Sequence, residues 1–323
     1  MEPNCCSRTT HKKDPMSRIQ DLLKKAEQER ASGKAPETTP AVTKNNTASV
    51  DPQSNSSSVS PKDAPAQKNA RDDADSSRVR EALAKSCAQT SWSPDPATIL
   101  LSHNGSRFAP GREEFRTLRS RLNLVREKQQ IQKLLVTSSL PEEGKTFVAA
   151  NLAQVMLWQR EHHVLLIDGD LRASHLHTFL GAPATPGLSD YLNKDADEFS
   201  IIKQREPLSN FFFIPGGKPA PNASELLGNG RLKLLLDRLA PAFDWIIIDS
   251  PPVIPVSDAR LIAELCDGVL MVVRAGSTPI ELAQLAYKDF RDKRFLGVVL
   301  NRAEKGSRYG YDYYYERQRA PKS

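Results

Sequence analysis

Eight residues limit this chain more than any others: Ser139 to Thr146, S-L-P-E-E-G-K-T, set between the apolar run Leu134-Leu135-Val136 and a helix-like stretch from Phe147 to Gln159. A strand, a loop closed by Gly-Lys-Thr and a helix, in that order, turn backbone N–H groups toward the β- and γ-phosphates of a nucleotide. In such a loop the Lys145 ammonium reaches those phosphates and the Thr146 hydroxyl ligates Mg²⁺. The positive end of the following helix adds to the pull on the anion. Ser139 stands where the pattern G-x-x-x-x-G-K-T has its first glycine, so the match is partial and calls for support elsewhere.

Two aspartates supply it. Val164-Leu165-Leu166-Ile167 ends in Asp168-Gly169-Asp170-Leu171-Arg172, and Trp245-Ile246-Ile247-Ile248 ends in Asp249-Ser250-Pro251-Pro252. Short, fully apolar, β-branched runs fit parallel strands buried on both faces. In open α/β sheets the ligand lies outside the carboxyl ends of the strands, so the three strand ends are expected to converge on one nucleotide and its metal.

The rest of the ordered pattern agrees. Helical spacing runs from Arg112 to Arg126 on Phe115, Leu118, Leu122 and Val125. Lys133–Thr137 and Val164–Ile167 read as strands, as do Asn210–Pro215, Trp245–Ile248, Val269–Val273 and Phe295–Leu300. Helices are expected over Phe147–Gln159, Ser224–Leu239, Ala259–Leu265 and Pro279–Phe290. This alternation predicts an α/β fold of the P-loop NTPase kind, a mostly parallel sheet with helices on both faces.

Composition divides the chain. No Phe, Tyr or Trp occurs from Met1 to Ser91, and Asn45 to Ser60 is rich in Ser, Asn, Thr and Pro. Such a segment buries too little apolar surface to offset its ordering entropy. Residues 1–92 are therefore expected to be largely disordered, with two short helical islands, in Asp14 to Ala31 and in Ser76 to Cys87. A single core domain over 93–308 and a tail over 309–323 follow. Net charge is +6 and the sequence pI about 9.1, but the basic residues are interleaved with acids and carry no nucleic-acid signature. No apolar run of membrane-spanning length and no secretory segment is present, which predicts a cytoplasmic protein. The four cysteines, Cys5, Cys6, Cys87 and Cys266, lack metal or redox spacing and read as free thiols.

The tail is Ser307-Arg308-Tyr309-Gly310-Tyr311-Asp312-Tyr313-Tyr314-Tyr315-Glu316, and it holds five of the chain's seven tyrosines. An edge strand would suit tyrosine, and a docking patch would suit any aromatic. A flexible tail offering phenols near a phosphate-transfer site explains why the clustered residue is tyrosine. Each phosphorylation would add about −1.5 to −2 charges.

These residues resemble a known group. Ser138 to Thr146, Asp168 to Arg172 and Ile248 to Pro252 are similar to the three nucleotide motifs of the bacterial tyrosine kinases, the autokinases of capsule and exopolysaccharide export. Glu113, Arg116 and Arg119 match that family's E-x-x-R-x-x-R helix, and Tyr309 to Tyr315 its autophosphorylation cluster. Gly216-Gly217 with Asn222 to Leu227 resembles a further family stretch, with Ala223 where proline is usual. Met16 to Gln20 with Lys24 to Glu27 looks like the soluble members linked to exosortase-type loci.

The resemblance implies ATP and Mg²⁺ as cofactors and catalysis by Lys145, Asp168, Asp170 and Asp249, with Asp168 the base that accepts the tyrosine proton. It implies a nucleotide site of Ser139, Glu143, Gly144, Lys145, Thr146, Phe147, Arg172 and Asn301. Within that set Arg172 steadies a phosphate or pairs with an aspartate, and Asn301 touches the adenine. The metal is held by Thr146, Asp170 and Asp249, and Tyr309, Tyr311, Tyr313, Tyr314 and Tyr315 are the phosphate acceptors. Glu113, Arg116 and Arg119 would form a ring-like homo-oligomer in which each tail enters the next active site. A membrane polysaccharide co-polymerase as activator, a cognate tyrosine phosphatase, and a place at the inner face of the cell membrane are also implied; nucleic acid is not. Glu142 departs from the pattern, standing where the family usually has glycine. Two other readings compete: a partition- or positioning-type ATPase without kinase activity, and a nucleotide-binding scaffold of the export machinery.

Overall fold

A computed structural model describes residues 70–94, 111–159, 162–206, 210–291 and 293–303. The Asp14 to Ala31 island, Cys5 and Cys6, and the Tyr309 to Tyr315 cluster lie outside the described residues.

In chain order the elements are α1 (Ala70–Ser86), β1 (Ala88–Ser91), α2 (Arg112–Lys128), β2 (Lys133–Ser138), α3 (Lys145–Met156), β3 (Val164–Asp168), α4 (Leu176–Leu180) and α5 (Leu188–Leu192). They continue with β4 (Lys203–Glu206), β5 (Phe211–Ile214), α6 (Ala223–Gly228), α7 (Arg231–Leu239), β6 (Trp245–Asp249), α8 (Asp258–Ala263), β7 (Gly268–Arg274), α9 (Ile280–Lys288) and β8 (Phe295–Asn301). One eight-stranded sheet runs β1-β4-β5-β3-β6-β2-β7-β8. Every neighbouring pair is parallel except β4 with β5, so β1 and β4 run against the other strands.

The apolar runs are continuous because successive side chains feed two cores. In β3, Val164 and Leu166 pack into one cluster and Leu165 and Ile167 into the other. In β6, Trp245 and Ile247 divide from Ile246 and Ile248 in the same way. Alternation along a strand buried on both faces requires this. The cluster of Leu134, Val136, Leu152 and Met156 lies under α2 and α3, while the one containing Leu83, Leu235, Ile262 and Ala283 lies under α1, α7, α8 and α9.

Three expectations need correction. The expected domain start at residue 93 cuts through the folded unit. Leu83 is 1% exposed and Cys87 and Trp92 are buried. Arg80 Nε donates to the Ala242 carbonyl at 3.2 Å, β1 pairs with β4, and the Trp92 ring meets Phe211 and Phe213 edge-on at 5.1 and 5.9 Å. The Val79, Leu83, Cys87 stripe is thus neither a transient tail helix nor a free docking face. The helix expected from Ser224 to Leu239 is two, separated at Gly228-Asn229-Gly230, where Gly230 takes a left-handed φ of 81° that continuous helix does not allow. β1, β4, α4 and α5 were not anticipated.

Among the described residues no helix is long and apolar enough to cross a membrane. Cys87 and Cys266 are free thiols, and burial pushes the Cys266 thiol well above its ordinary value.

Candidate active site

Strand register brings the three motifs together. Val136 of β2 lies opposite Asp249 of β6, and Asp249 lies opposite Asp168 of β3. The loop after β2 and the two aspartate-bearing strand ends therefore open on one side of the sheet. Backbone bonds lock the crossing points: Gly169 N–H donates to the Asp249 carbonyl at 2.7 Å, Ser250 N–H to Val136 at 3.1 Å and Val253 N–H to Ser138 at 2.9 Å.

The phosphate loop ends in Gly144, which caps α3 with a φ of 94° and offers no side-chain cap; α3 has no acidic residue in its first turn. Its first N–H groups, through Lys145, Thr146 and Phe147, have no intrahelical acceptor. They lie at the positive end of a helix twelve residues long. Phe147 turns its ring against Phe115 of α2, with centroids 6.0 Å apart. Ser139 is fully buried, its hydroxyl near the Met271 sulfur at 3.9 Å.

Lys145 Nζ stands 3.4 Å from Asp170 Oδ2 and 3.5 Å from the Thr146 hydroxyl. Burial pulls its pKa down, but the fields of Asp249, Asp170 and Asp168 outweigh that and hold the ammonium above its ordinary value. Asp168 is sealed from solvent. Its Oδ2 accepts Ser174 Oγ–H at 2.7 Å and Leu176 N–H at 3.1 Å, and its Oδ1 accepts Asp170 N–H at 3.1 Å. Burial, with Asp249 beside it, raises this carboxyl to about 7. Burial likewise raises Asp249 to about 6, against the opposing pull of Lys145 and a hydrogen bond from Thr146. Asp170 Oδ1 accepts Ala173 N–H at 3.1 Å.

The residues fit a magnesium ion. Asp249 Oδ1 is buried without a hydrogen-bond partner, as suits an oxygen that takes a cation, while the carboxylate is also held by the Thr146 hydroxyl and the Ser250 N–H. Among the described residues no group of three or more His, Cys, Asp and Glu side chains could cage a metal unaided. Mg²⁺ binds through one or two carboxylates plus phosphates and waters.

Other expected residues are placed differently. Arg172 donates to Asp258 through Nε at 2.7 Å and Nη2 at 3.3 Å, and to the Pro221 carbonyl at 2.9 Å and Ser224 Oγ at 3.0 Å. Of the two roles expected of it, the aspartate pair is present, and it ties the loop after β3 to α6 and α8. Asn301 donates to the Glu143 carbonyl at 2.9 Å and so holds the loop. Glu143 is a loop brace too, its Oε2 accepting Leu140 N–H at 2.8 Å. Glu142, with a φ of 62°, is exposed, so its carboxylate faces solvent. Arg119 is engaged within its own chain, donating to the Val155 carbonyl at the end of α3 at 3.0 Å. Glu113 and Arg116 pair on the surface, with the Arg116 guanidinium 4.9 Å above the Trp158 ring. Thr278, Ser174 and Asp258 went unnoticed in the sequence. Thr278 lies just after β7, so the rule that strand ends carry the site could have found it.

No family model matches the chain. The chain is 38% identical over 203 residues to the putative tyrosine-protein kinase AmsA of Erwinia amylovora, covering 62% of this chain and 28% of that protein. It is 33% identical over 203 residues to the tyrosine-protein kinase YwqD of Bacillus subtilis, covering 62% of this chain and 85% of that protein. The chain belongs to the bacterial tyrosine kinase family. A solved bacterial tyrosine kinase domain, that of Escherichia coli ETK, matches with a TM-score of 0.55 and 31% identity over 62% of this chain and 80% of its own. The chain spans less than a third of AmsA but most of YwqD, so what it shares with both is the kinase region.

Proposed function

We propose that this bacterial tyrosine kinase is an ATP- and Mg²⁺-dependent autokinase that phosphorylates Tyr309, Tyr311, Tyr313, Tyr314 and Tyr315 on a neighbouring copy. The observation that carries the reading is the meeting of Lys145 with Asp168, Asp170 and Asp249 beside the uncapped start of α3. Thr146 and Asp249, with Asp170, would hold Mg²⁺, which when bound supplies charge neutralisation on the phosphates. Lys145 stays protonated and stabilises charge on the transferring group. Asp168, raised toward neutrality, accepts the phenolic proton as the tyrosine oxygen attacks. The N–H groups at the start of α3 orient the phosphate chain.

Glu113 and Arg116 are exposed on α2 and support a ring contact there, while Arg119 orients that helix on α3. Family membership supports a role in exopolysaccharide or capsule assembly. It also supports a membrane co-polymerase as activator at the inner face of the cell membrane, and a cognate phosphatase that resets the tail.

Purified protein incubated with ATP and Mg²⁺ and probed for ADP and phosphotyrosine tests the reading. Both products in wild type, and neither in Lys145→Met, are expected. ADP without phosphotyrosine would instead mark a partition-type ATPase, and bound ATP with neither product a scaffold.

A further inference from the structure

The phosphate loop is gripped from outside its own motif. Glu143 is 2% exposed and its carboxylate faces Thr278, which is also buried. Thr278 donates its hydroxyl proton to Glu143 Oε1. The same hydroxyl oxygen accepts Arg274 N–H at 3.2 Å, which fixes Thr278 to the end of β7. Glu143 Oε2 takes Leu140 N–H at 2.8 Å, closing the loop on itself. Asn301, the last residue of β8, grips the other side by donating to the Glu143 carbonyl at 2.9 Å. Its own carbonyl accepts Ala275 N–H at 2.9 Å, so the two grips share one support. A Cβ at Gly144 would strike the Asn301 amide, and Gly144 also holds a φ of 94°; glycine alone satisfies both demands.

We infer that Thr278 and Asn301 are positioning residues for nucleotide binding: acting through Glu143, they set the phosphate loop in its anion-receiving shape before the ligand arrives. The six loop residues 139–144, with left-handed backbone at Glu142 and Gly144, would otherwise have to be ordered on binding. Ordering a loop at that moment weakens affinity, and a pre-shaped loop avoids the loss. The inference rests on the reading that this loop binds ATP with Mg²⁺. It also assigns the Asn301 amide to the loop backbone, so discrimination between adenine and guanine does not come from that side chain.

Titration calorimetry of the full chain with ATP, and separately with GTP, in magnesium buffer tests this. Thr278→Val keeps the side chain's shape and removes its hydroxyl; it should weaken ATP about tenfold, the size of a lost hydrogen bond to a charged group. Thr278→Ser should restore wild-type affinity. Asn301→Ala should weaken ATP and GTP by the same factor, and it decides the matter if Thr278→Val does not fold. Wild-type affinity in Thr278→Val, or a changed ATP-to-GTP ratio in Asn301→Ala, overturns the inference alone. A wild-type chain that takes up neither nucleotide overturns both it and the kinase reading.

Discussion

Asp168 and Asp249 face each other across adjacent strands, both shut away from water, and burial holds each above the usual carboxylate range. A carboxyl whose folded pKa exceeds its unfolded one binds its proton more tightly in the native state. Stability from these two groups is therefore greatest at low pH and falls as pH rises from about 4 toward about 7. Nucleotide-free protein should lose this stability between about pH 4 and pH 7, and Asp249→Asn should remove part of that slope. At pH 7.5 the variant should gain on the order of 2 kcal/mol while losing the stabilisation that Mg²⁺-ATP gives wild type; urea unfolding measures both. Identical pH slopes in the two proteins would contradict the account of the carboxylates. Glu142 carries a separate strain. Its left-handed φ of 62° suits glycine, and its side chain is exposed. Glu142→Gly should raise stability by about 1 kcal/mol, read as a higher Tm, and a lower Tm would mean the side chain contributes something its exposure hides.

At the scale of elements, α1 is the test of where the domain begins. Leu83→Ala should destabilise by about 3 kcal/mol, because a leucine 1% exposed leaves a cavity in the core under α1. A change below about 0.5 kcal/mol, the level of surface positions, would return α1 to the status of a tail. The sequence disclosed some elements and hid others for physical reasons. β2, β3, β6 and β7 were legible because strands with a core on each face carry unbroken apolar runs, such as Leu134-Leu135-Val136 and Val164-Leu165-Leu166-Ile167. β4 was hidden because Lys203-Gln204-Arg205-Glu206 is polar, although Lys203 and Gln204 are buried and Lys203 Nζ donates to the Ser200 carbonyl at 2.9 Å. The strand-end aspartates were found because each closes such a run. The partners of Arg172 and Asn301 were not, since Arg172, expected on a phosphate or an aspartate, meets Asp258 and Asn301 meets Glu143 across 86 and 158 residues of chain. Spacing along a sequence says nothing of contacts that distant.

Across the whole molecule, the sheet order places β2 between β6 and β7, so the phosphate loop is flanked by the Asp249 strand end on one side and the Thr278 support on the other. The carboxyl ends of β3, β6, β2, β7 and β8 thereby form one continuous rim that carries Asp168, Asp249, the phosphate loop and Asn301. The last of these, Asn301, is only eight residues before Tyr309. On the proposed reading, the tyrosine-rich segment that follows is received by the corresponding rim of a neighbour. The most direct measurement mixes two proteins in Mg²⁺-ATP: one truncated after residue 306, with an intact site, and full-length Lys145→Met, with an intact tail. Mass spectrometry then maps phosphate on the second protein. Phosphate on Tyr309 to Tyr315 of the Lys145→Met chain is the predicted result; an unmodified tail, with the same site active on full-length wild type, would contradict transfer between copies.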